Sequence, residues 1–473
     1  MKARLVKFWE AARSSYWFIP SLMTMGAIGL AFVMTYLDAS LGATWVDQID
    51  WLYANKPEGA RALLSTIAGS MITVAGVTFS ITIAAVAYAT NNFGPRLLTN
   101  FMQDQGNQVT LGTFIATFLY CLLVLRTIRS PEEAAAGKRV PVDELAGAFV
   151  PHLAILCGLS LALCSIGVLI FFIHHVPESI HASNVTADIG RKLNQKIKER
   201  FPGMIGFSVP EDEDYDPKED MPDDFFDRAT PVDAEGDGYV QYIDEARILR
   251  VATREDLLVR IEYRPGDFVS LGKTLAWVYP AEHADDGMAN HVRNAFVMGR
   301  GRTQRQDILF LAQELVEIAS RALSPGINDP FTAMTCLDWL GNALSNLGRR
   351  SMPGAYRYDD HRELRVIVHP ITFEEFADAA LGPPRPYVEA DRNAALHMMK
   401  VIADVACDLE DDDHRQVLLR HARALKHGAE QALSDEDDLD MLSARFRATS
   451  KLLRDNADER ALADEKQWLG GSG

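Results

Sequence analysis

The stretch closest to a known catalytic motif runs from Gly266 to Thr274 and reads Gly-Asp-Phe-Val-Ser-Leu-Gly-Lys-Thr. A phosphate-binding loop has four residues between its two glycines and is followed by a helix, whose first main-chain amides face the phosphates. Here five residues separate Gly266 from Gly272, and the residues after Thr274 predict a strand that ends at Pro280. We therefore expect no nucleotide at Lys273.

The same turn, from Pro265 to Leu275, is similar to the turn of small biotinyl-lipoyl barrels. Those carriers hold their cofactor on a lysine inside a Met-Lys-Met hairpin, and this chain has no such hairpin. The similarity therefore implies a small barrel-like shape and no covalently bound cofactor. The G-x-S-x-G, H-E-x-x-H and G-x-G-x-x-G signatures are also missing from the sequence. We expect no catalytic residue and no enzyme activity.

Metal and nucleic-acid sites are not indicated by the sequence. The five cysteines form no C-x-x-C pair, and they are expected to be small buried side chains in a reducing compartment. The net charge of -18 argues against nucleic acid, because phosphate binding needs a concentrated Lys and Arg surface. The acidic residues between Glu211 and Asp227 lack the spacing of a calcium loop, and they predict a solvated linker.

Four long apolar stretches set the fold. They cover residues 17–37, 62–89, 109–125 and 149–173. The first is about 20 residues long, which is enough to cross a ~30 Å hydrocarbon core as a helix. Ionisable residues are nearly absent from the four stretches, with His152 near the start of the fourth. This absence argues against a proton-driven transporter and is compatible with a passive pore.

One face of the second apolar stretch is small and hydroxylated. Thr66, Ser70, Thr73 and Ser80 recur at intervals of four, three and seven residues, with Gly69 and Gly76 beside them. Two interpretations are open. The face could allow close packing of helices, because small residues let main chains approach, or it could line a water-filled path. The four hydroxyl residues are our candidates for lining a pore.

Several long strings along the chain are specific to one family. They are Gly76-Val-Thr-Phe-Ser-Ile-Thr, Phe93-Gly-Pro-Arg-Leu-Leu, Asn107-Gln-Val-Thr-Leu-Gly-Thr-Phe, Tyr120-Cys-Leu-Leu-Val-Leu-Arg-Thr-Ile and Arg321-Ala-Leu-Ser-Pro-Gly-Ile-Asn-Asp-Pro-Phe-Thr-Ala. Through these strings the chain resembles the domain of unknown function 2254 family of predicted bacterial membrane proteins. The resemblance covers most of the chain and implies a protein of the bacterial inner membrane. It implies no reaction, ligand or catalytic residue.

Basic residues predict the orientation in the membrane. The first span is preceded by Lys2, Arg4, Lys7 and Arg13, and the fourth is followed by Arg191, Lys192, Lys196, Lys198 and Arg200. Cytoplasmic flanks are enriched in Lys and Arg, so both termini are expected in the cytoplasm. The loop between the third and fourth spans is also basic and would be an exception to this rule.

Two further sets of residues are candidates for regulating the protein. Phe93, Pro95 and Arg96 follow the second span, where Pro95 suits the first turn of a short interfacial helix. That helix could be a gate, an element coupling the spans to the polar region, or a simple connector. Arg300, Arg302 and Arg305 could hold an anionic ligand or a lipid head group, or they could pair with acids within the protein or between subunits.

The remainder of the chain predicts a cytosolic region of mixed α and β structure. After a transmembrane domain over 1–175, we expect a helix leaving the membrane over 176–203, an acidic linker over 204–237, a small β module over 238–280 and a helical domain over 291–465. Strands are predicted at 239–243, 247–251, 257–263 and 274–278. Thr303 and Gln306 predict a capping box at the start of a helix. Residues 470–473, Gly-Gly-Ser-Gly, are typical of an added tail.

The sequence thus predicts a polytopic α-helical membrane protein with four transmembrane helices and a cytosolic α+β region, which contains a small β-barrel-like module and a helical bundle. The function that we expect is a homo-oligomeric membrane pore, an ion channel, whose cytosolic region assembles or gates it. Its expected partners are the lipid bilayer, further copies of the chain and an ion or small ligand. The alternative is a membrane-anchored sensor or scaffold whose cytosolic region binds a ligand or a protein.

Overall fold

Four long apolar helices dominate the N-terminal part of the computed structural model, which describes residues 16–41, 57–97, 101, 104–129, 149–201 and 221–455. They are α1 (Phe18–Leu41), α2 (Pro57–Phe93), α3 (Gln105–Leu125) and α4 (His152–Ser179). Each is long and apolar enough to cross a membrane, so the four predicted spans are confirmed as candidate membrane helices. With 37 residues, α2 is about 55 Å long at 1.5 Å per residue and exceeds a ~30 Å hydrocarbon core.

The chain divides into two compact units. The membrane unit comprises Met1–Asn91 and Pro95–His181, and the polar unit comprises Asn92–Gly94 and Ala182–Gly473. Within the membrane unit, α3 packs on both α1 and α4. It is also the most enclosed span. Of the residues in its apolar segment 50% are buried, against 17% to 22% in the other three spans. On the outer faces of the other spans, large apolar side chains such as Met25, Phe32 and Ile170 are exposed, as contact with lipid tails requires.

The polar unit contains the remaining helices and all eight strands of the described residues. Its helices are α5 (Ala182–Arg200), α6 (Phe225–Arg228), α7 (Glu245–Arg254), α8 (Asp286–Arg293), α9 (Ile308–Ala322), α10 (Pro330–Gly348), α11 (Phe373–Leu381), α12 (Arg385–Val388), α13 (Arg392–Ala406), α14 (Asp412–Ala432) and α15 (Glu436–Asp455). Its strands are β1 (Thr230–Asp233), β2 (Gly238–Ile243), β3 (Leu258–Ile261), β4 (Phe268–Val269), β5 (Thr274–Tyr279), β6 (Phe296–Gly299), β7 (Tyr356–Tyr358) and β8 (Leu364–Ile367).

The strands form two open sheets. One has the order β1-β5-β3-β8-β7, in which only the β3–β8 pair is parallel, and the other is antiparallel with the order β4-β2-β6. The predicted barrel-like module is therefore corrected: among the described strands no sheet closes on itself. The reason is long-range pairing, since β7 and β8 come from a distant part of the chain and extend the larger sheet beyond the predicted module.

One predicted strand is wrong. Residues 247–251 belong to helix α7, which begins after Asp244, whose side chain accepts a hydrogen bond from the Arg247 amide at 3.0 Å. Ile248, Val251 and Ala252 are buried together, at the spacing of one helical face. The strands predicted around β2, β3 and β5 are confirmed.

The predicted capping box is also wrong. Helix α9 begins one residue after Asp307, whose carboxylate accepts from the Phe310 amide at 3.0 Å. Gln306 instead bonds the main chain of Ile243, accepting from its N–H at 2.8 Å and donating to its carbonyl at 3.0 Å. A long-range contact to β2 thus replaces the local one, because Gln306 satisfies both polar groups at the end of that strand.

Part of the predicted acidic linker belongs to the fold. Phe225 in α6 is fully buried, and β1 pairs with β5. Residues 202–220, where most of the acidic run lies, are outside the described residues.

A helical bundle completes the polar unit. Helix α10 lies at its centre and packs on α5, α9 and α13, while α15 packs on α13 and α14. The approach of α5 to α10 is close, because a Cβ on Gly190 would clash with the ring of Trp339. The predicted bundle is therefore confirmed as a helical region.

Candidate functional site

The predicted pore-lining residues lie together on the outward face of α2. Thr66, Ser70, Thr73 and Ser80 are all exposed within the single chain. Each hydroxyl donates to a carbonyl oxygen of its own helix three or four residues earlier, at 2.8 to 2.9 Å. Among the described residues, none of these four side chains bonds to another span.

The opposite face of α2 contributes to the core of the membrane unit. Leu64, Ile67, Met71 and Ala75 join the buried cluster formed with the other spans. Thr78 and Thr82 are buried on this inner side and also bond within the helix.

The two glycines of the hydroxyl stripe face open space. A Cβ built on Gly69 or Gly76 would meet no other atom within 4 Å. The small residues of this face are thus not needed for close approach inside one chain. We define the outward stripe as the surface formed by Thr66, Gly69, Ser70, Thr73, Gly76 and Ser80.

One end of the membrane unit is held by polar contacts that the sequence analysis missed. Asp38, only 6% exposed, accepts hydrogen bonds from the amides of Leu153 and Ala154, both at 2.9 Å. It thereby caps the first turn of α4 from the end of α1. The Tyr120 hydroxyl donates to the Ala154 carbonyl at 2.9 Å. The signal available in the sequence was a lone carboxylate directly after an apolar run.

At their other ends, α3 and α4 are joined by an acid and a histidine. His175 Nε2 lies 2.9 Å from Asp104 Oδ1, and the same carboxylate caps α3 at the Asn107 amide. The His175 ring stacks on Phe171 with 4.9 Å between centroids. A Cβ on Gly106 would meet the imidazole at 2.6 Å, so glycine is required where the ring passes the main chain.

The predicted gate residues lie where α2 ends. Phe93 is buried, and Gly94 has a φ of +115° that L residues rarely adopt. A Cβ on Gly94 would clash with the side chain of Glu317 in α9. Pro95 begins a single 3-10 turn, Pro95–Leu97, in which Arg96 is exposed. The longer interfacial helix predicted here includes residues outside the described ones, and the gating role stays a prediction.

The three predicted anion-binding arginines have separate surroundings. Arg302 pairs with Asp307 at 2.6 Å and with Gln313 at 2.6 Å. Arg305 lies over the ring of Tyr242, with 4.1 Å from its guanidinium carbon to the centroid, and Arg300 is exposed. Burial raises the pKa of Asp307, and the Arg302 guanidinium only partly opposes this shift. The structure thus shows an internal ion pair at Arg302, and anion binding at this cluster stays a prediction.

A cavity of about 100 Å³ lies within the polar unit and opens to solvent. Its charged lining comprises Arg200, Arg264, Arg357 and Glu245, with His369 beside them. Its apolar walls include Phe201, Leu249, Ile261, Ile308, Val366 and Ile371. The end of α5, the start of α7, strand β7 and the segments that follow β3 and β8 bring these residues together. We call this space the arginine cavity.

Each arginine of the arginine cavity is held in place. Arg200 donates to the Gln306 carbonyl at 2.5 Å and pairs with Glu245 at 3.2 Å, and Arg264 pairs with Glu375 at 2.8 Å. Burial alone would lower the pKa of Arg264, but the hydrogen bond and charge of Glu375, together with the charges of Asp267 and Asp307, outweigh burial and raise the pKa.

Arg357 is the most enclosed of the three, with 4% exposure, and donates to main-chain carbonyl oxygens at 2.6 and 2.9 Å. Burial lowers the pKa of Arg357, against the opposing charge of Glu245. Within the described ranges, no group of three or more His, Cys, Asp or Glu side chains could hold a metal ion.

Comparison with known proteins identifies a family. A family model described as "Predicted membrane protein (DUF2254)" matches residues 13–404. An uncharacterized protein of Mycobacterium bovis and one of Mycobacterium tuberculosis are each 28% identical to this chain over 448 residues, which is 93% of this chain and 81% of the relative. No solved structure matches the chain.

Proposed function

We propose that this chain, which belongs to the DUF2254 family of predicted membrane proteins, assembles as several copies in the bacterial inner membrane. The copies form a pore for ions between their α2 helices. The observation that carries the proposal is the outward stripe. It is the surface of α2 that combines hydroxyl groups with glycines, and it faces away from the other spans of its own chain.

Packing inside the chain does not account for the outward stripe. Small residues in membrane helices let main chains approach, and hydroxyls then bond across the interface. In one chain neither happens, since Gly69 and Gly76 face open space and the hydroxyls bond within α2. A second copy of the chain would supply the close neighbour that the stripe lacks in one chain. Each hydroxyl oxygen can still accept a hydrogen bond from water.

The packing of the spans favours a path between copies over a path through one copy. Helix α3 occupies the middle of the membrane unit, where Phe114, Tyr120 and Val124 are buried. Symmetric assembly around an axis creates a central space that a single packed bundle lacks.

The outward stripe carries no charge, so its chemistry supports weak ion selectivity. Selectivity would then be set at the ends of α2, near Arg96. Both termini of each copy would lie in the cytoplasm, as the basic flanks of the first and fourth spans indicate.

Ion flux through reconstituted liposomes tests the pore. Ser80→Leu adds bulk to the stripe and should reduce the flux severalfold or more, whereas Ser80→Ala keeps the residue small and should leave most of it. Ser160 in α4 offers a matched control, because it is also exposed and bonded within its own helix. Ser160→Leu should leave flux unchanged. No flux from the wild-type oligomer, or equal losses for Ser80→Leu and Ser160→Leu, would refute the pore.

A second candidate function is a membrane-anchored sensor, and the arginine cavity favours it. In that case the spans tether the protein, and a ligand in the polar unit is the signal. Absence of wild-type flux together with saturable ligand binding would support the sensor over the pore.

A further inference from the structure

We infer that the arginine cavity binds a small organic anion, in which a carboxylate or phosphate is attached to an apolar body. The inference concerns the polar unit alone. It does not rest on the pore, because binding is measured without ion flux and can succeed or fail independently.

The charge of the cavity lining is the first argument. Three guanidinium groups, from Arg200, Arg264 and Arg357, share the lining with the single carboxylate of Glu245. Opposite charges attract more strongly in a partly enclosed site than in bulk water. Glu375 also pairs with Arg264, so these five groups sum to one positive charge, which would attract an anion that enters the cavity.

The enclosure of Arg357 is the second argument. Its guanidinium is 4% exposed, and burial disfavours its charged form, as the lowered pKa indicates. A buried charge is costly unless an opposite charge compensates it. A bound anion would place a further negative charge beside this enclosed guanidinium.

Directional donors are the third argument. A guanidinium has five N–H donors in a rigid fork, which matches carboxylate and phosphate groups. Arg264 uses Nη1 for its bond to Glu375, and Arg200 uses its two terminal nitrogens for Gln306 and Glu245. Within the described part of the chain, the fork of Arg264 thus keeps donors for a second acceptor.

The walls define the rest of the ligand. Phe201, Leu249 and Ile308 contribute apolar surface from three different elements. Binding pockets commonly combine apolar walls with a few placed polar groups that orient the ligand. A bare inorganic ion would leave these walls unused, so the inferred ligand carries a ring or a short chain.

Calorimetric titration of the full-length protein in detergent tests this inference. Phenyl phosphate and benzoate are the anionic probes, and benzyl alcohol is the neutral control with the same ring. At least one anion should bind saturably at millimolar concentration or below, and benzyl alcohol should not. Dihexanoyl phosphatidylglycerol presents the same phosphate chemistry as a lipid head group, and its competition with phenyl phosphate would identify a lipid source.

Three variants connect the binding to the cavity. Arg264→Gln should weaken binding about tenfold, which is the usual effect of losing a charge-assisted hydrogen bond. Glu245→Gln removes the opposing carboxylate and should tighten binding severalfold, a gain that a misfolded protein could not produce. Arg420→Gln alters an exposed ion pair with Glu374 and Asp378 away from the lining and should change nothing.

Three results would each overturn the inference. They are the absence of saturable binding for both anions, equal binding of benzyl alcohol, and affinities that are the same in the wild type, Arg264→Gln and Glu245→Gln. In any of these cases the arginines serve the fold alone.

Discussion

Two sets of hydroxyl side chains in the membrane unit differ in what they bond. Thr117 in α3 and Ser165 in α4 are buried and lie 3.2 Å apart, so one span is joined to another. Thr73 and Ser80 in α2 are exposed and bond only to main-chain oxygens of their own helix. The Thr117–Ser165 pair thus joins two spans, whereas the exposed hydroxyls of Thr73 and Ser80 join none. The difference supports a role for the stripe outside the single chain.

Asp38 is a buried carboxylate bonded to two amides of another span, and removing it should have the largest effect. Asp38→Ala deletes an acceptor that serves two buried amides at the start of α4. We expect a loss of about 2 kcal/mol in the free energy of unfolding, near the upper range for a helix cap. Thermal unfolding in detergent measures this loss of stability. Ser40→Ala, at an exposed residue bonded within α1, is the control, and equal stabilities of the two variants would contradict this account.

In the polar unit, the buried ion pair between Asp359 and Arg365 should make stability depend on pH. Burial alone would raise the pKa of Asp359, but Arg365 and two main-chain amides outweigh it and hold the pKa below its ordinary value of 3.8. The contact therefore stabilises the fold above pH 3.8 and is lost as the pH falls through the lowered folded value. Asp359→Asn should cost about 1.5 kcal/mol at neutral pH.

Unfolding by urea, followed by circular dichroism across this pH range, checks the sign. The stability difference between wild type and Asp359→Asn should shrink as the pH falls below 4. A difference that grows on acidification would show that the ion pair does not stabilise the folded state.

The smallest expected effect compares the two hydroxyl sets directly. A double-mutant cycle of Thr117→Ala and Ser165→Ala should give a coupling of about 0.6 kcal/mol, which is typical of such pairs in membrane proteins. The same cycle on Thr73 and Ser80 should give none when the protein is held as a monomer in detergent. Equal couplings would remove the distinction between inward and outward hydroxyls.

The spans could be predicted from the sequence because length and apolarity alone determine them. Asp38 could not, since the apolar run ends one residue before it and its partners lie 115 and 116 residues further along the chain. Helix α7 was missed because its apolar residues also fit a short strand, and the cap at Asp244 decides between the two. Local pattern thus identifies elements, and long-range contacts determine their ends.

The two candidate sites differ in the same way. Thr66 to Ser80 share one helix, so their common face follows from helical spacing. Arg200, Arg264 and Arg357 lie on three separate segments. The pairing of β3 with β8 and of β8 with β7, together with the packing of α5, brings them to one cavity. The basic cluster that the sequence suggested, at Arg300, Arg302 and Arg305, is adjacent in sequence, but its side chains have different partners in space.

Thiol labelling of the assembled protein in lipid tests the central claim most directly. Thr73→Cys and Ser80→Cys are made in a variant whose exposed Cys164 is replaced by Ala, with Thr82→Cys on the inner face of α2 and Ser160→Cys on the outer face of α4 as controls. The account predicts that a membrane-impermeant maleimide labels positions 73 and 80 of an oligomer and neither control. If the oligomer is intact and positions 73 and 80 stay as unreactive as the controls, or if the protein is monomeric in lipid, the stripe lines no pore.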